Sequence, residues 1–259
     1  KINHRSSHKT IATRSGGLSI AITISIISFY FYLIGSDIYN FSLLIPLILL
    51  LMIGLYDDIY NVDFKLKFIF QIIAAKLIVD SGLIIDNLHG LFGIYELNRF
   101  IAHIITIFIV VAIINAINFI DGIDGLAITI VTTFIILFEL FSSEVTPFRN
   151  FTIIIISTIV PLYYFNFRLK NKIFLGDSGS LFLGGIVSIY TLYILSNNYI
   201  IKSNFDLNKI IFVFSILSYP IVDIIRIFFK RIISGASPFL ADKNHIHHRL
   251  LNIFKSHIL

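Results

Sequence analysis

Between Asn115 and Leu126 the chain reads Asn-Ala-Ile-Asn-Phe-Ile-Asp-Gly-Ile-Asp-Gly-Leu, so two amides, Asn115 and Asn118, stand beside two carboxylates, Asp121 and Asp124. The runs Phe100 to Ile114 before it and Leu126 to Phe138 after it are almost wholly apolar. Ionisable groups delivered to the end of a greasy helix are costly to hold there, and function is their default reading. Carboxylates and amide oxygens are also the ligands that hard divalent cations prefer. Taken alone, the cluster fits a tight turn as well, with an Asp capping the next helix and the amides bridging between helices. The DGxxAR opening of the CDP-alcohol phosphotransferases is close, but its Ala-Arg is absent.

Three more motifs could do chemistry. Asp57-Asp58 is followed by Lys65-Leu66-Lys67 and Gln71. Two carboxylates ~4 Å apart repel by about 4 kcal/mol at an effective dielectric of 20, so a cation must sit nearby if both are to stay ionised. A solvated helix end is the plain alternative, and a prenyl-synthase DDxxD site fits poorly because residue 61 is Asn. Phe174-Leu-Gly-Asp177-Ser-Gly-Ser180 is a Gly-rich turn ahead of an apolar run, and such a turn offers free N–H groups to phosphate, although Asp177 could simply cap the helix. Asp242-Lys-Asn-His245-Ile-His247-His248-Arg249 is a cationic loop rich in hydrogen-bond donors and suited to diphosphate. Zinc is its rival, but no Cys or Glu lies beside it and its flanks are cationic.

The elements that must carry these motifs are apolar helices. Apolar residues make up 57% of the chain and charged ones 14%, against about a quarter charged in soluble domains. The mean hydropathy is +0.90. The pattern predicts an all-α, polytopic transmembrane bundle of one domain, residues 1–259, with about eight spans judged against the ~20 residues a bilayer needs. They are placed at 16–35, 40–56, 66–84, 100–118, 125–141, 150–166, 179–197 and 207–229. With no cysteine, disulfides and thiolate metal sites are excluded. The formal charge of +5 is modest, and no nucleic-acid partner is expected.

Lys and Arg set the orientation. One set of loops holds Lys1, Arg5, Lys9, Arg14, Lys65, Lys67, Arg168, Lys170, Lys172, Lys230, Arg231, Lys243, Arg249 and Lys255, and the alternate set only Arg99, Arg149, Lys202 and Lys209. The richer face is read as cytoplasmic, and all four motifs fall on it. A secondary transporter, the alternative class, would instead set its polar groups near mid-membrane depth. Here only Lys76 and the Asp223/Arg226 pair lie deep.

In this order and on one face, the motifs resemble those of the polyprenyl-phosphate N-acetylhexosamine-1-phosphate transferases, a membrane glycosyltransferase family. The resemblance covers essentially the whole chain. Asn3-x-Arg5-x-x-His8-Lys9-Thr10 and Thr13-Arg14-x-Gly16-Gly17-Leu18 look like the loop after the family's first helix. The His-Ile-His-His-Arg-Leu ending resembles the WecA/TagO branch, whereas the phospho-MurNAc-pentapeptide branch usually shows three consecutive His. Against the family's ten or eleven spans, the first helix and the last one or two are expected to lie outside this chain. The loop Asn166-Phe-Arg-Leu-Lys-Asn-Lys-Ile lacks the usual Pro-Ala, and Ile11-Ala12 replaces a proline-containing stretch.

The resemblance implies transfer of a sugar-1-phosphate, by default GlcNAc-1-phosphate, from a UDP-sugar to a polyprenyl phosphate. The products are polyprenyl-diphosphate-sugar and UMP, the cofactor is Mg²⁺ with Mn²⁺ as a substitute, and the setting is the bacterial inner membrane. It makes Asp177 a metal ligand and puts Asn118 close to metal and diphosphate. Asp57, Asp58 and Asp121 become the catalytic carboxylates, with the Asp57-Asp58 pair beside the lipid phosphate, and Lys65 a diphosphate-binding lysine. Phe174 would stack on uracil, Asp124 would contact the nucleoside, and Asn115 would join the substrate site. His245, His247, His248 and Arg249 would contact sugar and phosphate. It also leaves room for a homodimer.

Overall fold

The computed structural model describes residues 13–36, 40–168, 171–196, 198–203, 205 and 208–233. Among them it is all helical apart from isolated bridges, with nine α-helices in chain order: α1 Gly16–Leu33, α2 Leu44–Tyr60, α3 Phe64–Asp80, α4 Arg99–Ile120, α5 Leu126–Phe141, α6 Arg149–Asn166, α7 Gly176–Leu195, α8 Lys209–Ile216 and α9 Ser218–Ile233. Seven of these match the first seven expected spans to within a few residues. A short 3₁₀ turn, Phe41–Leu43, leads into α2. Among the described residues, four helices are long and apolar enough to cross a bilayer by length and composition: α1, α2 with its 3₁₀ turn, α4 and α7.

The eighth expected span is not one helix. It breaks at Leu217 into α8 and α9. Pro220 supplies the cause, since it has no N–H to give the carbonyl one turn earlier and its ring crowds that carbonyl, which favours proline in a helix's first turn.

α7 is the axis of the bundle. Nearly all of it is buried, from Gly176 to Leu195, and it packs against α1, α2, α4 and α5. Its small residues allow this closeness, as in membrane helix contacts generally. A Cβ placed on Gly17 of α1 would lie 2.1 Å from the Gly179 Cα, and one on Gly54 of α2 would lie 2.5 Å from the Ser178 Cα. Backbone therefore touches backbone at the end of α7 that bears Asp177. The outside of the bundle carries many exposed large apolar side chains, among them Ile26, Phe29, Met52, Phe100, Phe108 and Val160. So much exposed apolar surface on so many helices is the coat of a protein solvated by lipid.

Candidate active site

Four of the helix ends meet. The last turn of α2 carries Asp57 and Asp58, α3 starts just after it at Phe64, the last turn of α4 carries Asn118, and α7 begins at Gly176. The side chains form one connected polar cluster. Lys67 Nζ donates to Asp57 Oδ2 at 2.9 Å and to Asn118 Oδ1 at 3.3 Å, and lies 3.3 Å from Asp177 Oδ1. Asn118 Nδ2 donates to Asp177 Oδ1 at 2.5 Å and to Ser180 Oγ at 2.7 Å. The other Asp57 oxygen accepts the Val62 N–H at 2.7 Å, which fixes the turn between α2 and α3.

Asp58 takes a different place. Its carboxylate accepts the backbone N–H of Asp177 at 3.1 Å and of Ser178 at 3.0 Å, and pairs with Arg14 Nη1 at 3.3 Å. It caps the N-terminus of α7 from another helix, where free N–H groups and the helix dipole favour an anion. Gly176 has a φ of 76°, and a Cβ there would come within 2.8 Å of Asp58 Oδ2, so this approach requires glycine. Asp58 thereby positions Asp177.

Asp121 follows α4 and is half-buried, with no side-chain hydrogen bond among the described residues. Burial first, and then the charges of Asp177 and Asp58, push its carboxyl well above the usual carboxylate range, more than Arg14 pulls it down. Such a carboxyl holds its proton more readily than a free one, and an added cation would favour its charged form. No three His, Cys, Asp or Glu side chains converge to enclose a metal by themselves among the described residues. Mg²⁺ commonly takes one or two carboxylates and completes its shell with water and substrate phosphate. Asp57, Asn118 and Asp177 already aim oxygens at the single cationic point that Lys67 occupies, so the donor chemistry fits a hard divalent ion.

Beside this cluster lies a second one. Asp124 and Lys172 form a buried ion pair, and Lys172 Nζ sits 5.6 Å from the centre of the Phe174 ring. Asp124 Oδ1 and Asn166 Oδ1 are buried without a hydrogen-bond partner among the described residues. An aromatic face beside unsatisfied acceptors is a surface that a planar, N–H-bearing ring could complete. Thr13, just ahead of α1, holds this loop in place in an isolated bridge, through Thr13 N–H to Lys172 O at 3.2 Å and Phe174 N–H to Thr13 O at 2.8 Å.

Two expected residues stand apart. Lys65 is exposed at the first turn of α3, while Lys67 occupies the cluster. Residues two apart on a helix point to different sides, and Lys67 shares its face with Gln71, one turn on. That i, i+4 relation to Gln71 was the available signal. Asn115 is one turn back from the cluster, in a reciprocal amide pair with Gln71 at 2.7 and 3.2 Å. It braces α4 against α3. His245, His247, His248 and Arg249 lie outside the described residues. Sequence alone singled out neither Ser180 as a brace, although it closes the Gly-rich motif, nor Lys172 as the partner of Asp124.

Fold and site together define a helical membrane protein with an acid–amide–lysine cluster at one end of its apolar bundle. The model of glycosyl transferase family 4 matches residues 40–195, and the chain belongs to that family. A Bacillus subtilis protein named "Probable undecaprenyl-phosphate N-acetylglucosaminyl 1-phosphate transferase" is 32% identical over 98% of this chain and 70% of its own length. The undecaprenyl-phosphate alpha-N-acetylglucosaminyl 1-phosphate transferase of Pasteurella multocida is 32% identical over 97% of this chain and 70% of its own. Over a shorter stretch, 34% of this chain, the decaprenyl-phosphate N-acetylglucosaminephosphotransferase of Mycobacterium leprae is 36% identical.

Proposed function

We propose that this protein transfers GlcNAc-1-phosphate from UDP-GlcNAc to undecaprenyl phosphate, releasing UMP, with its site on the cytoplasmic face of the inner membrane. The observation that carries the reading is the Lys67–Asp57–Asn118–Asp177 cluster, found in a chain whose relatives bear the names of that reaction. In balanced form, an oxygen of the lipid phosphate bonds to the sugar-bearing phosphorus of the donor. The bond from that phosphorus to the bridging oxygen breaks, and UMP leaves with the bridging oxygen.

Asp177 and Asn118 would hold Mg²⁺, which when bound would neutralise charge developing on the diphosphate. Lys67 adds a fixed cation against the two anions that must meet, so much of the gain is positioning and electrostatics. The lipid phosphate is already mostly ionised near pH 7, its second pKa being about 6, so Asp57 need only orient it or take a last proton. Asp58 acts on the chemistry through Asp177, by fixing the start of α7. Asp124, Phe174 and Asn166 form the acceptor-and-ring surface on which we place the uracil.

The test is an exchange assay in membranes, with radiolabelled UMP, undecaprenyl phosphate and a panel of unlabelled UDP-sugars. Label should enter UDP-GlcNAc in a Mg²⁺-dependent way, and Asp177→Asn should lower the rate at least ~10²–10³-fold, as loss of an oxyanion donor does. Wild-type turnover in that variant would remove Asp177 from the site, and exchange confined to another UDP-sugar would reassign the donor.

A further inference from the structure

The far end of the bundle holds a pocket that the transfer reaction does not use. α5 starts just after Asp124 at the catalytic end and its 16 residues carry the chain about 24 Å away, at 1.5 Å per residue. There a pocket of about 570 Å³ opens between the end of α5, the start of α6 and the segment around Lys202.

Its floor is polar and its wall greasy. Glu139 Oε1 accepts the buried hydroxyls of Thr146 and Thr152, each at 2.8 Å, and Thr152 continues to the hydroxyl of buried Tyr190 at 2.8 Å. These bonds lock the Glu139 carboxylate in one orientation, and its Oε2 makes no hydrogen bond among the described residues. Two cations line the same pocket: Arg149, the first residue of α6, and Lys202, whose Nζ donates to Leu140 O at 2.8 Å and uses none of its other N–H groups on a side chain or carbonyl among the described residues. Ile136 and Ile153, 46% and 58% exposed, line it on the outer surface of the bundle. Two carboxylates, Glu139 and the more exposed Glu144, and two cations line one pocket; flanked by lipid-facing apolar side chains, they match a ligand with a primary ammonium, a phosphate and hydrocarbon tails.

We propose that this pocket binds an aminophospholipid of the phosphatidylethanolamine type from the leaflet opposite the active site. The lipid ammonium bonds Glu139 Oε2, its phosphate meets Arg149 and Lys202, and its chains run along Ile136 and Ile153. A choline headgroup has no N–H to give Glu139, and a glycerol headgroup has no positive charge, so the pocket selects ethanolamine.

The experiment uses purified protein in detergent, stripped of lipid and titrated with phosphatidylethanolamine, phosphatidylcholine or phosphatidylglycerol of identical chains, or with soluble O-phosphoethanolamine. Thermal stability is read with retained lipid by native mass spectrometry. Saturable stabilisation by phosphatidylethanolamine alone is expected, with apparent affinity roughly tenfold weaker in Glu139→Gln or Arg149→Gln, the scale of one lost charge-assisted hydrogen bond. Equal responses to ethanolamine and choline lipids would overturn the proposal. So would an equal response to O-phosphoethanolamine, or an undiminished response in Arg149→Gln, an exposed-site change that decides the matter if Glu139→Gln fails to fold.

Discussion

Replacing Lys67 with methionine keeps much of the volume and removes only the charge. In the folded protein that charge sits 2.9 Å from Asp57 and 3.3 Å from Asp177, with 12% of the lysine side chain exposed. Stripping one partner from a fully buried pair costs about 3–5 kcal/mol, while an exposed pair contributes about 0–1 kcal/mol. The Asp177 side chain keeps 31% exposure, so about 2 kcal/mol of stability should be lost. The loss should shrink when Asp177→Asn is added, because the two carboxylates no longer face each other bare, with a coupling of about 0.5–3 kcal/mol. Activity should fall at least ~10²-fold, since a fixed cation aimed at developing charge is lost, whereas Lys65→Met should stay within about threefold of wild type. Denaturation of the detergent-solubilised variants gives the stabilities, and UMP exchange gives the rates. If Lys65→Met were dead and Lys67→Met active, the assignment of the lysine would be refuted. If the double variant were no more stable than additivity predicts, the pairing argument would be.

Asp121→Asn should raise the stability of metal-free protein at pH 7 while abolishing transfer. A carboxyl whose folded pKa is raised contributes stability that is complete below its unfolded value, about 3.9, and is lost as pH rises through the folded value. Melting points of wild type should therefore decline from pH 4 upward, Mg²⁺ should oppose the decline, and Asp121→Asn should flatten it; a parallel pH profile in the variant would contradict this. Purified enzyme without lipid acceptor should release no stoichiometric burst of UMP, because positioned anions need no enzyme nucleophile. A burst lost in Asp57→Asn would replace one-step displacement with a covalent route. For orientation, a cysteine at Lys65 should label only from the cytoplasm and one at Ser143 only from outside, and the reverse pattern would invert the topology.

Helix positions were legible because long apolar runs separated by Gly, Pro and Asp clusters leave few other solutions in lipid. Asp57, Asn118 and Asp177 could be grouped because each ends or begins a run at the same face. What the pattern does not encode is which lysine of a Lys-x-Lys pair turns inward, since both flank the same motif and only the packing of α3 on α4 decides it. Lys172 was equally hidden: its contact with Asp124 spans 48 positions and depends on how two loops fold over each other. The break before α9 was written in Pro220, but hydropathy averaged across it and joined two helices into one.

The helix that bears Asp177 is 94% buried across its most apolar window, so it meets other helices and almost no lipid. Bilayers of differing thickness act on proteins through the helices they wet, tilting or stretching them to match. Here that load falls on the outer helices, while the central one is gripped backbone to backbone at Gly17 and Gly54. The reacting end is thereby insulated from membrane mechanics. Turnover should depend far less on acyl-chain length than overall stability does, and the depth at which the two phosphates meet is set by protein rather than by the membrane.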